Sequence, residues 1–253
     1  MDSDSLGLEE PDYIATQIEL FLLINRCRQN PQLLITMLES IIPRFDGKLY
    51  KPKSSQEDYI THEGVEVVWE AIERLEVQDP LPPFQLSKGL FLAAKTHCDD
   101  IGQNGLASHK GSNGMSLSQR IDYFGKWKDL IAENIAFTDF QCEDIIINFV
   151  LDDGNENRGH RENLLNPNLN CIGIACGPHV DHGNCCVINF STQMFEVPDS
   201  DLLSDEYNFI QTQIENYGGS QMINRALLSQ TEIEDEKEEE YLKENALNSF
   251  KVK

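Results

Sequence analysis

The segment from Asn170 to Phe195 constrains the fold more than any other stretch of the chain. Two apolar, β-branched runs, Asn170 to Cys176 and Cys185 to Phe195, flank the linker Gly177-Pro178-His179-Val180-Asp181-His182-Gly183-Asn184. Glycine, proline, aspartate and asparagine supply turn conformations, so these runs and their linker predict an antiparallel hairpin. A lone hairpin is marginal in water and needs more strands or a helical cover. The N-terminal half supplies the helices. Asp12 can cap a helix carrying Ile14, Ile18, Phe21 and Leu22 at helical spacing. Pro31 opens a second, with Leu33, Leu34, Met37, Leu38 and Ile41, which stops at Pro43. Val65, Val68, Trp69, Ile72 and Leu75 mark a third, closed by Pro80, Pro82 and Pro83. A fourth is expected from about Ser87 to Ile101, with Leu90, Phe91, Ala94 and Cys98 inward and Gly102 and Gly105 ending it. Residues 44–60 read as a long polar loop. Residues 144–151 are ambiguous: β-branching favours a strand, and a buried helix has the same composition. The fold class is α+β.

Charge narrows the partners. The chain has 253 residues, 43 Asp+Glu against 20 Lys+Arg, and a net charge of −23. Such a molecule repels polyanions, which argues against nonspecific binding of nucleic acid or anionic membrane and leaves basic proteins and metal cations open. Met1-Asp2-Ser3-Asp4-Ser5 has no basic n-region, and no uncharged apolar run reaches the length of a membrane span. The expectation is therefore a cytoplasmic protein whose seven cysteines are reduced thiols. Residues 1–11 read as a loose acidic arm, 12–198 as the folded domain and 199–253 as an acidic C-terminal extension. Residues 201–229 suit one helix, or two broken at Gly218-Gly219, and 232–240 form an acidic run suited to a basic protein partner.

Four polar segments fall where apolar runs meet loops: Ser108-His109-Lys110-Gly111, Ala132-Glu133-Asn134-Ile135, Asp152-Asp153-Gly154 and Arg158-Gly159-His160-Arg161. Two imidazoles and two carboxylates, if brought together, can bind a divalent metal or exchange protons near neutral pH. The plainer alternative is that His109 caps a loop, Glu133 bonds backbone amides and the aspartates make a turn. A second constellation, Cys176-x2-His179-x2-His182-x2-Cys185, has the ligand count of a structural zinc site, although one tight loop would have to wrap the ion. Against it stand solvated histidines and core-facing cysteines. His97, beside Asp99 and Asp100, reads as a helix-surface histidine.

From about Ile18 to Val197 the chain resembles the CAP superfamily (cysteine-rich secretory proteins, antigen 5, pathogenesis-related 1), in its bacterial and protist SCP-like branch. The resemblance is carried in order by Ile24-Asn25-Arg26, Glu63-Gly64 and Leu86-Ser87-Lys88-Gly89-Leu90. It continues through Ser108-His109, Arg120-Ile121 with Gly125, and Glu133-Asn134-Ile135. Leu151-Asp152-Asp153-Gly154, Arg158-Gly159-His160-Arg161 and Ile172-Gly173-Ile174 complete it. It implies an α-β-α sandwich with a small central antiparallel sheet, and a cleft tetrad of His109, Glu133, Asp152 and His160. In some members of the family this cleft binds zinc or another divalent ion, here through His109 and His160. Ala132 departs from the family's glycine at that place. Asp152 stands where glutamate is usual, with Asp153 as a competitor.

Three functions follow from the resemblance. The first is a binding or scaffold module whose cleft takes a divalent metal or small ligand. The second is a structural component of a larger, for instance cytoskeletal, assembly with a vestigial cleft. The third, least favoured, is a metal-assisted hydrolase in which an ion held by His109 and His160 activates water with Glu133 as base; a serine nucleophile is not indicated, since no strained Gly-x-Ser-x-Gly turn is present.

Overall fold

The computed structural model of the chain describes residues 12–52, 58–137, 141–196 and 204–217. The N-terminal arm, the break at Gly218-Gly219 and the acidic run lie outside these residues. The chain divides into two compact units, Met1–Ile210 and Gln211–Lys253.

Helix α1 (Tyr13–Gln29) starts where the Asp12 side chain accepts from Ala15 N, and α2 (Pro31–Ile41) starts on its proline. A single 3-10 turn, Ile42–Arg44, follows. The polar loop expected next instead contains a small antiparallel sheet of β1 (Phe45–Asp46), β2 (Leu49–Tyr50) and β3 (Tyr59–Ile60). The Tyr50 ring, stacked near Phe45 and Tyr59, gives these two-residue strands their side-chain contact. Then come α3 (Glu66–Glu76), β4 (Gln85–Leu86) and α4 (Lys88–Asn104). Ser87 caps α4, and Gly105, left-handed at φ 63, ends it. Gly102 does not end the helix as expected. It lies within α4, where a Cβ would sit 2.2 Å from the Pro178 carbonyl oxygen.

A Ser116–Gln119 capping box opens α5 (Leu117–Asp122), which leads into β5 (Gly125–Ala136). The ambiguous apolar run is a helix, α6 (Cys142–Leu151), followed by α7 (Gly159–Leu164). The expected hairpin is β6 (Cys171–His179) and β7 (Gly183–Glu196), and α8 (Ser204–Tyr217) follows.

The main sheet has the order β4-β6-β7-β5. β7 runs antiparallel to both β6 and β5, while β4 joins β6 in parallel over two residue pairs. Side chains alternate across a strand, so the two faces can be assigned. Ala175, Cys185 and Val187 pack on Ala94, Cys98 and Ile101 of α4. Gly173 shares that face, and a Cβ there would lie 2.1 Å from Phe91 N, so only glycine lets α4 approach so closely. The opposite face carries Cys176, Cys186 and Phe190. Phe190 stacks on Phe84, over which lies the guanidinium of Arg28 from α1. Arg28 is buried and donates to the carbonyls of Pro82, Leu164, Asn166 and Leu169, tying α1 to the segment before β4 and to the end of α7 with the chain that follows it. The result is a small sheet between helical layers, the α-β-α arrangement expected, and it leaves β5 as an edge strand.

Candidate functional site

Glu133 and Asn134 are successive residues of β5, so their side chains leave opposite faces of the edge strand. Each reaches one of the expected histidines. On the α4 side, Glu133 Oε1 accepts from His109 Nδ1 at 2.9 Å. Its Oε2 accepts from Arg120 Nη2 at 2.6 Å, and both side chains of that ion pair are 2% exposed. With its amide oriented to satisfy both ends, Asn189 of β7 also donates to Oε2. On the other side, Asn134 Nδ2 donates to the His160 carbonyl at 3.0 Å and its Oδ1 accepts from Asn163.

His109 sits in the loop after α4, and side chains of α4 and α5 hold that loop in place. Asp100 accepts from the amide and the hydroxyl of Ser112. His97 Nε2 donates to the Ser108 carbonyl at 2.9 Å, and Arg120 Nη1 donates to the carbonyls of His109 (3.0 Å) and Met115 (3.1 Å). His97 is therefore not the surface histidine expected. It is fully buried, and burial lowers its pKa and favours the neutral ring. Ser108 Oγ accepts from Lys110 N, a local turn with no link to an activating base.

The second imidazole is held locally. Asp152 caps α6 in the left-handed region at φ 46, and its Oδ1 accepts from His160 Nδ1 at 2.7 Å and from Asn155 at 2.7 Å. Its Oδ2 accepts from the His160 amide at 2.8 Å. Burial alone would raise this carboxyl, but the bonds from His160 and Asn155 hold it below the ordinary carboxylate value. Asp153 does not compete for this place, because it accepts from the amides of His62 and Glu63. Arg158, itself left-handed at φ 48, bridges the Asp152 carbonyl to Glu63, whose carboxyl is held down at about 2 chiefly by the hydrogen bond from Arg158.

The tetrad of His109, Glu133, Asp152 and His160 is thus organised as two imidazole–carboxylate pairs, one with its carboxylate on β5 and the other with its carboxylate at the end of α6. Both pairs turn Nδ1 toward the carboxylate, which leaves Nε2 as the lone-pair nitrogen. That is the donor form in which histidine meets a divalent metal, with the carboxylate orienting the ring from behind. Among the described residues no group of three or more His, Cys, Asp or Glu side chains is placed to hold a metal ion.

The expected zinc constellation does not assemble. The hairpin register pairs Cys176 with Cys186 and Gly177 with Cys185, so Cys176 and Cys185 point to opposite faces of the sheet. Cys176 Sγ lies 3.0 Å from Cys186 Sγ, and Cys185 Sγ lies 3.5 Å from Cys98 Sγ. His179 is committed at both nitrogens: Nδ1 accepts from the amides of Asp181 and His182, and Nε2 donates to the Leu106 carbonyl. His182 stacks beside it and Phe137.

Sequence reasoning missed His97 as a loop anchor and Arg120 as the partner of Glu133. Arg120 entered only as part of a matching motif, and no local spacing ties it to a residue thirteen positions on. For His97 a signal existed, since it falls at helical spacing from the inward residues Ala93, Ala94 and Ile101.

No curated protein matches this chain. Among solved structures it is similar to an outer surface protein from Borrelia burgdorferi, at 20% identity over 50% of this chain and 86% of that one, with a TM-score of 0.38. It is also similar to an extracellular SCP-domain protein from Bacillus anthracis, at 22% identity over 51% of this chain and 38% of that one, TM-score 0.34. A third is a cysteine-rich secretory protein from Staphylococcus aureus, at 16% identity over 62% and 48%, TM-score 0.35. The chain therefore spans less than half the length of the latter two. Residues 71–195, which include both imidazole–carboxylate pairs, match the cysteine-rich secretory protein family, CAP, and this segment of the chain is a CAP domain.

Proposed function

We propose that this CAP domain is a binding module in which His109 and His160 offer Nε2 to a divalent cation, zinc foremost, with Glu133 and Asp152 orienting the rings from behind. The observation that carries the reading is the common orientation of the two pairs, each with Nδ1 on a carboxylate. Both imidazoles reach solvent, His109 with 61% and His160 with 28% of its side chain exposed. A divalent cation there would face the Asp152 and Glu133 carboxylates through the two rings, Glu133 being paired already with Arg120, and would offer open positions to an oxygen ligand. The binding reading is favoured over a hydrolase because Glu133 has both oxygens engaged, by His109 and by Arg120, and is poorly placed to serve as a general base.

We further place the protein in a reducing, cytoplasmic setting. Burial raises the Cys176 thiol well above its ordinary value and disfavours the thiolate that disulfide formation requires, although its Sγ lies 3.0 Å from that of Cys186.

Thermal melting with added zinc tests the site. Saturating zinc, at about 100 times Kd, stabilises by roughly 2.7 kcal/mol. For a chain of this size that corresponds to a rise of about 5–10 °C. His109→Ala and His160→Ala should each remove the shift. Absence of a shift in the wild-type protein, or its persistence in both variants, overturns the reading.

A further inference from the structure

We propose that Arg120, assisted by His97, is the positioning residue of the His109 half of the site, setting both the place and the tautomer of the imidazole. The proposal rests on the reading that His109 meets its ligand through Nε2.

Arg120 uses one fork to hold both members of the pair. Nη2 grips Glu133 Oε2 at 2.6 Å, and Nη1 grips the main-chain carbonyl of His109 at 3.0 Å. The backbone that carries the ring and the carboxylate that receives its Nδ1 are therefore tied to the same rigid guanidinium. His97 takes the preceding carbonyl, that of Ser108. Two successive peptide carbonyls are thus held by two buried side chains, which fixes the pitch of the main chain at His109. A carboxylate paired with Arg120 only accepts, so Nδ1 of His109 is the donor and Nε2 keeps its lone pair.

The clamp is built at a cost to stability. Arg120 Nε and His97 Nδ1 are buried without a hydrogen-bond partner among the described residues. Buried polar atoms are otherwise almost always satisfied, and exceptions call for a reason. Here the remaining atoms of the same two side chains reach the His109 loop and Glu133. His160 offers an internal contrast, because Asp152 and Asn134 hold its ring, amide and carbonyl without an arginine.

The test is long-range proton–nitrogen correlation NMR of the imidazole rings in the full chain, labelled with nitrogen-15 and free of metal. Wild type should show the Nδ1–H tautomer at both His109 and His160. In Arg120→Lys the ammonium keeps the charge but cannot span the His109 carbonyl and Glu133 together. His109 should then shift toward the Nε2–H tautomer while His160 keeps its signature, which also reports that the domain is folded. Should Arg120→Lys not fold, Arg120→Gln leaves the Glu133 carboxylate in place and a donor toward it but cannot span to the His109 carbonyl, and the same change at His109 is expected. Zinc affinity, measured by competition with a chromogenic chelator, should fall about 10–100-fold in Arg120→Lys. An unchanged His109 tautomer in either folded variant overturns the proposal and reduces Arg120 to a structural residue. A changed tautomer in a protein whose wild type takes no zinc supports the clamp and sinks the metal reading instead.

Discussion

The two imidazole–carboxylate pairs look alike at the ring and differ in how they are built. The Asp152–His160 pair is assembled within a short stretch. A left-handed cap ends α6, a turn follows, and α7 returns the ring and its own amide to the same carboxylate. The His109–Glu133 pair draws on α4, the loop after it, α5 and β5, and centres on an ion pair sealed from water. One is local and satisfied mostly by neutral donors, while the other is tertiary and depends on a buried charge partner. Similar chemistry at the ring therefore does not imply similar tolerance of change.

The largest expected effect breaks the comparison on the tertiary side. Arg120→Ala leaves Glu133 buried without its cation, and stranding one member of a buried ion pair costs about 3–5 kcal/mol. Urea unfolding should show this loss for Arg120→Ala, and Arg120→Ala with Glu133→Ala should cost less than the two single losses added. If Arg120→Ala costs no more than a surface substitution, the sealed pair is not what holds this half.

Next comes the local side. Asp152→Ala strands the His160 amide and ring nitrogen and removes the partner of Asn155, at roughly 1–3 kcal/mol. Asp152→Asn should recover part of this, because asparagine tolerates the left-handed backbone and still accepts. The expected order by thermal melting is Arg120→Ala below Asp152→Ala below Asp152→Asn. Inversion of the first two would remove the distinction between the halves.

Acid separates the halves through a group that touches neither ring. Glu63, clasped by Arg158, titrates at about 2 against an ordinary 4.5, held down chiefly by that hydrogen bond and the amide of Gly154. A depressed carboxyl contributes stability that is complete above its unfolded value. That contribution is lost as pH falls from about 4.5 toward 2. Glu63→Gln should therefore flatten the fall in melting temperature over this window. Its side chain is 37% exposed and screened, so the change should be modest. Identical acid profiles for wild type and variant would show that the clasp on the Asp152 turn carries no charge-dependent stability.

Legibility in the sequence follows the same divide. The hairpin could be read because β-branched runs and a turn-rich linker are local signals, and the early helices because proline and capping residues mark their ends. The β1–β3 sheet could not, since two residues are too few to show a period. Within the run that became α6, residues 145–151 are apolar except Asn148, and one polar position carries no phase. In the site, Asp152 and His160 were named from the family register with Asp153 left as a competitor, and only the folded turn shows Asp152 on the His160 ring and Asp153 on the amides of His62 and Glu63. Glu133 and His109 were named from family motifs, but their dependence on Arg120 and His97 exists only after α4, α5 and β5 pack. The zinc constellation failed for a register reason: whether Cys176 and Cys185 share a face depends on how the strands pair, and the register sets them apart.

The smallest expected effect sharpens the comparison at the strand both pairs share. Ala132 stands where a family glycine would suggest a special backbone, one residue before Glu133. The structure needs none there: Ala132 pairs in regular register with Phe190, and the positive-φ residue of β5 is Asp129, at the bulge between Lys128 and Ile131. Glycine within a strand costs conformational entropy and gives up packing. Ala132→Gly should therefore lower stability by about 0.5–1 kcal/mol and gain nothing at the site. The ring tautomers of both His109 and His160 should stay as in wild type, because neither Arg120 nor Asp152 depends on the Ala132 side chain. An Ala132→Gly protein that is more stable, or that shifts the His109 ring alone, would show that the alanine strains the strand and that the tertiary pair absorbs the strain.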